Sequence, residues 1–235
     1  MTDPAAKSEL MQSLGRLVRG LSCLFWGLPL TLVFYVQTAR MDWLDALGVD
    51  DVGIVATAPA AGLTALLLYG LTLMAGFQPQ ERVWTTSLER ARLVGLICLG
   101  LSPFLHWWHR LPFVTLYAVS LIFLVLFGLL FLLQLNHVLL RLTAILSDEM
   151  LRHETQFFVG FNRTILSIIP VLLGAWMAAS QIKVLPQRAI DLLHVADEIG
   201  LWFMLFLLLI PVATTMALIW KIKETIFAGV FDTHR

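Results

Sequence analysis

Long uninterrupted apolar runs dominate the pattern along the chain. A bilayer core takes about 20 mostly apolar residues per helix, and six stretches meet that length. Their apolar residues are continuous and do not alternate with polar ones, which predicts helices and not barrel strands. The six are about Leu21–Gln37, Val52–Phe77, Leu88–Trp108, Phe113–Asn136, Phe157–Ser180 and Gly200–Trp220. The pattern therefore predicts an all-α fold, a polytopic membrane protein with a six-transmembrane-helix bundle.

An amphipathic segment precedes the first run. Residues Ser8–Leu21 place Leu10, Leu14 and Leu17 on one face, with the charged side chains largely elsewhere. This pattern is typical of an interfacial helix on the inner leaflet, or of a docking helix for a cytoplasmic partner. No small-residue cleavage site follows the first run, so we expect that span to be retained. The predicted parts are an amphipathic helix over residues 1–20, a single transmembrane domain over 21–220 and a tail over 221–235.

The distribution of basic residues predicts the orientation. If the N-terminus is cytoplasmic and the chain crosses six times, twelve of the 16 basic residues lie inside. The positive-inside rule then favours cytoplasmic positions for both termini of a multi-pass cell-membrane protein. The inside set is Lys7, Arg16, Arg19, Arg82, Arg90, Arg92, Arg141, Arg152, Arg163, Lys221, Lys223 and Arg235, and the outside set is Arg40, Arg110, Lys183 and Arg188.

Composition agrees with a membrane protein and excludes both a soluble domain and a nucleic-acid-binding protein. The chain is 59% hydrophobic and 14% charged, against roughly 25% charged in a typical soluble domain. Its formal net charge is zero, so it lacks the basic footprint of a nucleic-acid-binding protein. Two cysteines, Cys23 and Cys98, both lie in apolar runs and do not form a disulfide framework.

Motifs for familiar chemistry are absent from the sequence. It contains no G-x-x-x-x-G-K-[ST], no G-x-G-x-x-G after a strand, no H-E-x-x-H and no G-x-S-x-G. The deep parts of the spans also lack Asp, Glu and Lys, the groups that ion-coupled transporters use. We therefore predict no catalytic residues, and the sequence favours a protein that is not an enzyme.

Histidines and carboxylates near the outer boundary form the first candidate site. His106 and His109 have i,i+3 spacing at the end of the third span, and Asp191, His194 and Glu198 recur at helical spacing before the sixth. Imidazoles and carboxylates can ligate a divalent metal, and paired histidines can hold haem. The competing interpretation is that these are ordinary amphipathic residues of the interface.

Polar residues on the inner side form the second candidate site. Asn136 and His137 end the fourth span, and Asn162 and Arg163 lie within the fifth, shortly after Glu154. A charge in a membrane is costly unless it reaches the interface or finds a partner. Arg163 is therefore expected to reach the inner headgroups, to pair with Glu154, Glu149 or Asn136, or to bind an anionic headgroup or substrate.

Prolines and small residues suggest how the spans pack. Pro29, Pro59, Pro103, Pro170 and Pro211 lie in or near five of the six spans, where each is expected to kink its helix. The small residues from Ala56 to Gly62 favour close approach of the second span to another helix. From this we expect the second span inside the bundle and the fourth partly facing lipid or another subunit.

Three functional hypotheses follow, and the topology alone does not choose among them. The first is a non-catalytic integral membrane subunit or transport component, permease-like, channel-like or a scaffold, working with other membrane subunits or as a homo-oligomer. The second is a membrane redox protein that binds haem or metal through the outer histidines. The third is an enzyme acting on lipid at the inner face through Arg163, His137 and Glu154. In each case the lipid bilayer is a partner and nucleic acid is not.

Overall fold

Helices account for nearly all of the residues that the structure describes. The computed structural model describes residues 4–40, 53–111, 113–146, 149–180 and 187–232, with side chains for 11–39, 57–111, 113–146, 149–178, 203 and 205–229. No strand occurs in these ranges. The helices are α1 Pro4–Arg40, α2 Gly53–Met74, α3 Arg82–Leu101, α4 Phe104–Arg110, α5 Thr115–Ile145, α6 Glu149–Ser180 and α7 Gln187–Asp232. The all-α prediction is confirmed.

Five of these helices are long and apolar enough to cross a membrane, which makes the chain a multi-pass membrane protein. The candidate spans are Met11–Ala39, Thr57–Met74, Thr115–Ile145, Glu149–Ala178 and Leu205–Gly229. Helix α3, which overlaps the third predicted span, is outside this set because Arg82, Glu89, Arg90 and Arg92 lie in it.

Two predicted spans are parts of longer helices. The amphipathic segment and the first span form one continuous helix, α1, of 37 residues. The segment before the sixth span is likewise continuous with it in α7, of 46 residues. At 1.5 Å per residue both helices exceed the roughly 30 Å of a bilayer core, so each extends beyond it.

Helices α1 and α2 form a closely packed antiparallel pair. A Cβ atom built on Gly20 would lie 2.6 Å from the carbonyl oxygen of Gly70, so the two backbones nearly touch. Further along, Gly27 lies against Leu67. Gly70 is thus the small residue of α2 at the closest approach of this pair, and α2 packs mainly on α1 and α3. Helix α5 packs on α3, α4, α6 and α7, while exposed side chains such as Leu116 and Phe123 leave part of it facing outward. An inside position for the second span stays a prediction.

Helices α3 and α4 together follow the full height of the α1–α2 pair. About halfway along α3, Arg92 Nη2 donates a 3.1 Å hydrogen bond to the carbonyl oxygen of Leu71 in α2. At the end of α4, His109 Nδ1 lies 3.1 Å from the carbonyl oxygen of Ala39, the penultimate residue of α1. The helical path breaks between them at Ser102–Pro103. We call the end of the bundle at Ala39 and His109 the Ala39 end.

The remaining helices complete the bundle. Helix α6 packs between α5 and α7, and α7 returns to α1, where Lys223 Nζ donates a 2.9 Å hydrogen bond to Ser22 Oγ. The opposite end of the bundle, called the basic end, holds most cationic side chains that the structure describes. These are Arg16, Arg19, Arg82, Arg90, Arg92, Arg141, Arg152, Lys221 and Lys223, whereas Arg110 lies at the Ala39 end.

The hydrophobic core is densest in the half of the bundle near the basic end. Leu21, Met74, Trp84 and Leu142 are completely buried there, and the Phe77 and Trp84 rings meet edge to face at 6.4 Å. A completely buried large side chain removes its whole apolar surface from solvent and contacts many neighbours. This half therefore fixes the helices relative to one another.

Candidate functional site

Four neutral polar side chains meet where α5, α6 and α7 cross. We call Asn136, Asn162, Thr214 and Thr215 the Asn–Thr cluster. Asn162 Nδ2 lies 3.4 Å from both Asn136 Oδ1 and Thr215 Oγ1, while its Oδ1 lies 2.6 Å from Thr214 Oγ1. Thr215 Oγ1 lies 3.1 Å from Asn136 Oδ1. The cluster therefore links all three helices through side-chain hydrogen bonds.

Local backbone chemistry places each member of the cluster. Pro211 lacks the N–H that a helix interior uses, and the threonine hydroxyls one turn later turn back onto nearby carbonyls. Thr215 Oγ1 lies 2.6 Å from the carbonyl oxygen of Pro211, and Thr214 Oγ1 lies 2.9 Å from that of Ile210. On α5, Asn136 Nδ2 donates to the carbonyl of Leu132 at 2.9 Å.

The chemistry available to the cluster is that of helix association. Asn136, Asn162 and Thr215 are each at most 1% exposed, and none of the four side chains is ionisable at neutral pH. Interhelical hydrogen bonds of this kind are worth on average about 0.6 kcal/mol each inside a membrane. Several of them at one level stabilise the packing of α5, α6 and α7 and fix their register.

The predicted inner site is divided by the structure. Asn136 and Asn162 come together, but Glu154 forms an ion pair with Lys221 at the basic end, away from the cluster. Arg163 is exposed on the outward face of α6, and His137 is exposed on α5. The acceptor oxygen of Asn136 is shared by Asn162 and Thr215 and does not serve Arg163.

The outer histidines lie on the short helix α4. His106 is buried, with its ring 5.8 Å from that of Trp107, and His109 faces the end of α1 through Ala39. Asp191, His194 and Glu198 are part of α7, but their side chains lie outside the described residues. Among described side chains, no three His, Cys, Asp or Glu residues lie close enough to hold a metal ion. Haem or metal binding thus stays a prediction.

A cavity of about 280 Å³ lies in the half of the bundle near the Ala39 end. Helices α1, α2, α3, α4, α5 and α7 all contribute to its walls. The lining is almost entirely apolar, and we call this space the apolar cavity. Its walls include Leu28, Leu32, Tyr35, Thr64, Leu67, Cys98, Leu105, Val125, Gly128, Leu132, Leu208 and Val212.

The floor of the apolar cavity lies directly next to the Asn–Thr cluster. Leu132 and Val212 line the cavity, and they precede Asn136 and Thr215 by about one helical turn. Above them, the Tyr35 hydroxyl and Thr64 Oγ1 form a 2.7 Å hydrogen bond across α1 and α2.

Sequence reasoning missed Tyr35 and the cavity. An apolar lining looks like any other apolar run in the sequence. The signals that stood out were the two asparagines, because amides are rare in such runs.

Comparison with family models, curated proteins and solved structures finds no match for this chain.

Proposed function

We propose that this chain is a non-catalytic membrane component, a helical scaffold or transport subunit that works with other membrane subunits or with copies of itself. The observation that carries the proposal is the Asn–Thr cluster. Its buried polar groups hydrogen-bond one another across three helices. Polar groups used in this way serve helix packing, and they are not directed at a substrate.

The proposal includes a sixth crossing and a cytoplasmic position for both termini. Helix α3 has 20 residues, about 30 Å of helix, which matches a bilayer core. With α4 it reaches from the level of Leu71 to that of Ala39. The charges of α3 lie in its first half, near the basic end, where they can reach headgroups. The concentration of cations at the basic end supports placing that end on the cytoplasmic side.

A groove between α1 and α7 supports the association with other subunits. Ala213 and Ala217 lie one turn apart along the groove, with the rings of Phe25 and Trp220 beside them at 5.9 Å from each other. Small residues at i,i+4 allow another helix to approach closely inside a membrane. Trp220 is 59% exposed beside this groove, so its apolar ring is available to a neighbour.

The experiment compares two variants purified from the native membrane under mild conditions. Ala217→Phe fills the groove, whereas Gly174→Phe adds the same ring at an exposed position of α6 where nothing lies within 4 Å of a new Cβ. We expect a stoichiometric complex, with another subunit or a second copy, for the wild type and for Gly174→Phe. We expect at least a tenfold loss of that complex for Ala217→Phe.

Several results would overturn the proposal. A protein that is strictly monomeric and shows no solute or lipid flux in liposomes would remove it. Bound haem or a stoichiometric metal would favour the redox hypothesis instead. Turnover of a phospholipid by the purified protein would favour the hypothesis that it is an enzyme acting on lipid. An absorption spectrum, elemental analysis and lipid mass spectrometry on one sample decide among these.

A further inference from the structure

The polar groups in the wall of the apolar cavity already have partners. The Tyr35 hydroxyl is bonded to Thr64, and Thr64 Oγ1 lies 2.8 Å from the carbonyl of Ala60. Thr31, also in the wall, donates to the carbonyl of Gly27 at 2.7 Å. A buried water needs two to four polar partners, and an apolar cavity without them stays dry and takes apolar ligands. The wall therefore favours hydrocarbon.

The cavity reaches the side of the bundle between α5 and α7. Val125 lines the cavity and is 40% exposed. Gly128 also lines it, one turn along α5, and a Cβ atom built there would meet nothing within 4 Å. On α7, the lining residue Leu208 is half-buried. The opening thus lies at the level of the hydrocarbon of a surrounding bilayer, where lipid chains are the molecules present.

The volume sets the size of the occupant. An engineered cavity of about 150 Å³ accommodates benzene, with six carbon atoms. At about 280 Å³, the apolar cavity has room for roughly ten to twelve carbon atoms by the same measure. That is a large part of one hydrocarbon chain, and it is too small for two chains or for a headgroup.

We propose that the apolar cavity binds one acyl chain of a membrane phospholipid, which enters sideways between α5 and α7 past Val125 and Gly128. The chain ends at the floor formed by Leu132 and Val212, next to the Asn–Thr cluster. The glycerol and headgroup stay outside the bundle. This ligand is independent of the partner subunits proposed above, because its site is on a different face from the α1–α7 groove.

Photolabelling tests the proposal. The full chain is reconstituted in phosphatidylcholine nanodiscs that contain a phosphatidylcholine with a diazirine in mid-chain, and crosslinks are mapped by mass spectrometry. Leu28 and Leu67 are each 5% exposed and line the cavity, so surrounding lipid does not reach them. We expect crosslinks at these two positions as well as on the exposed surface.

A matched pair of variants identifies the route. Gly128→Phe puts a phenyl ring into the opening. The control, Gly100→Phe, puts the same ring at an exposed position of α3, where a new Cβ also meets nothing within 4 Å. We expect Gly128→Phe to lower labelling of Leu28 and Leu67 at least fivefold while exposed residues stay labelled. Gly100→Phe is expected to leave both unchanged. If Gly128→Phe does not give a folded, monodisperse protein, Val125→Phe replaces it.

Three outcomes would overturn the inference. The first is labelling confined to exposed residues in the wild type. The second is undiminished labelling of Leu28 and Leu67 in Gly128→Phe. The third is labelling of these positions by a diazirine fatty acid but not by the phospholipid, which would show that a free chain and not a bilayer lipid is the ligand.

Discussion

Removing Asn162 is the most direct test of the Asn–Thr cluster. Its side chain makes three contacts across helices, to Asn136, Thr214 and Thr215. At about 0.6 kcal/mol for each interhelical hydrogen bond, their loss in Asn162→Ala corresponds to ~2 kcal/mol of unfolding free energy. Two of the contacts are 3.4 Å long, at the weak end of hydrogen-bond geometry, so ~2 kcal/mol is an upper value for the bonds.

The cost stays moderate because no partner loses its last hydrogen bond. Without Asn162, the Thr214 hydroxyl still lies 2.9 Å from the carbonyl of Ile210, and Asn136 Oδ1 still lies 3.1 Å from Thr215. Unsatisfied buried groups would add about 1–3 kcal/mol each. We therefore expect a loss of ~1–2 kcal/mol and not a failure to fold.

A double-mutant cycle with Asn136→Ala isolates the contact between the two asparagines. Unfolding free energies are measured by steric trapping in bicelles for both single variants and the double variant. We expect the double variant to lose less than the sum of the single losses, by about 0.6 kcal/mol. Thr164→Ala is the control, because Thr164 is exposed and bonds only the carbonyl of Gly160 on its own helix. Two results would refute the role assigned to the cluster. In the first, Asn162→Ala lowers the unfolding free energy no more than Thr164→Ala does. In the second, the losses of the two single variants add up fully in the double variant.

Two further predictions concern helix packing and topology. Gly20→Ala places a methyl group 2.6 Å from the carbonyl oxygen of Gly70, so we expect ~1–3 kcal/mol of destabilisation from overpacking. Gly15→Ala has open space on the same helix and should be neutral or stabilising by up to ~1 kcal/mol in the same unfolding assay; equal effects would contradict the close α1–α2 contact. In a background without the native cysteines, Gln80→Cys and Phe113→Cys are expected to react with an impermeant maleimide from opposite sides of the membrane. If both cysteines react from the same side of the membrane, α3 and α4 do not form a sixth crossing.

The long apolar runs predicted most of the helical architecture because hydrophobic length alone determines whether a helix can span a bilayer. The predicted span edges at Leu21 and Gly200 do not coincide with helix ends. The sequence changes there from amphipathic to fully apolar, but α1 and α7 continue without a break. A change in polarity shows where a helix leaves the lipid, and it does not show where its hydrogen bonding ends.

Proline positions gave a partial prediction of the backbone. Pro29, Pro59, Pro170 and Pro211 lie inside helices that continue past them, and the kink expected at each of them stays a prediction. At Pro103 the helix is interrupted, and α4 starts anew. The apolar runs around the prolines do not show which of them interrupts a helix. After Pro103, α4 contacts the end of α1 through His109 and Ala39.

The candidate site was predictable in its residue types but not in its pairing. Asn136 and Asn162 stood out as amides in apolar runs, and they do meet. Thr214 and Thr215 follow Pro211 by three and four residues, a spacing that predicts bonds to the local backbone and not a contact with Asn162. Which of the neighbouring polar groups faces Asn162 depends on the rotation of α6 and α7, and one sequence does not contain that angle. For the same reason Arg163 is exposed although Asn162, its neighbour in the chain, is buried.

The cluster and the apolar cavity are best understood together, because they divide the bundle into two unlike halves. Below the cluster, side chains such as Leu135 and Leu139 are completely buried. Above it lies about 280 Å³ that the protein does not fill. At about 24 cal/mol per Å³ of cavity, a void of that size would cost ~7 kcal/mol, a large part of the 5–15 kcal/mol that stabilises a typical protein. A bundle held together by the cluster can retain such a space at little cost if lipid hydrocarbon fills it through the opening at Gly128. The stability of the protein in detergent should then depend on whether the surrounding molecules can supply that chain.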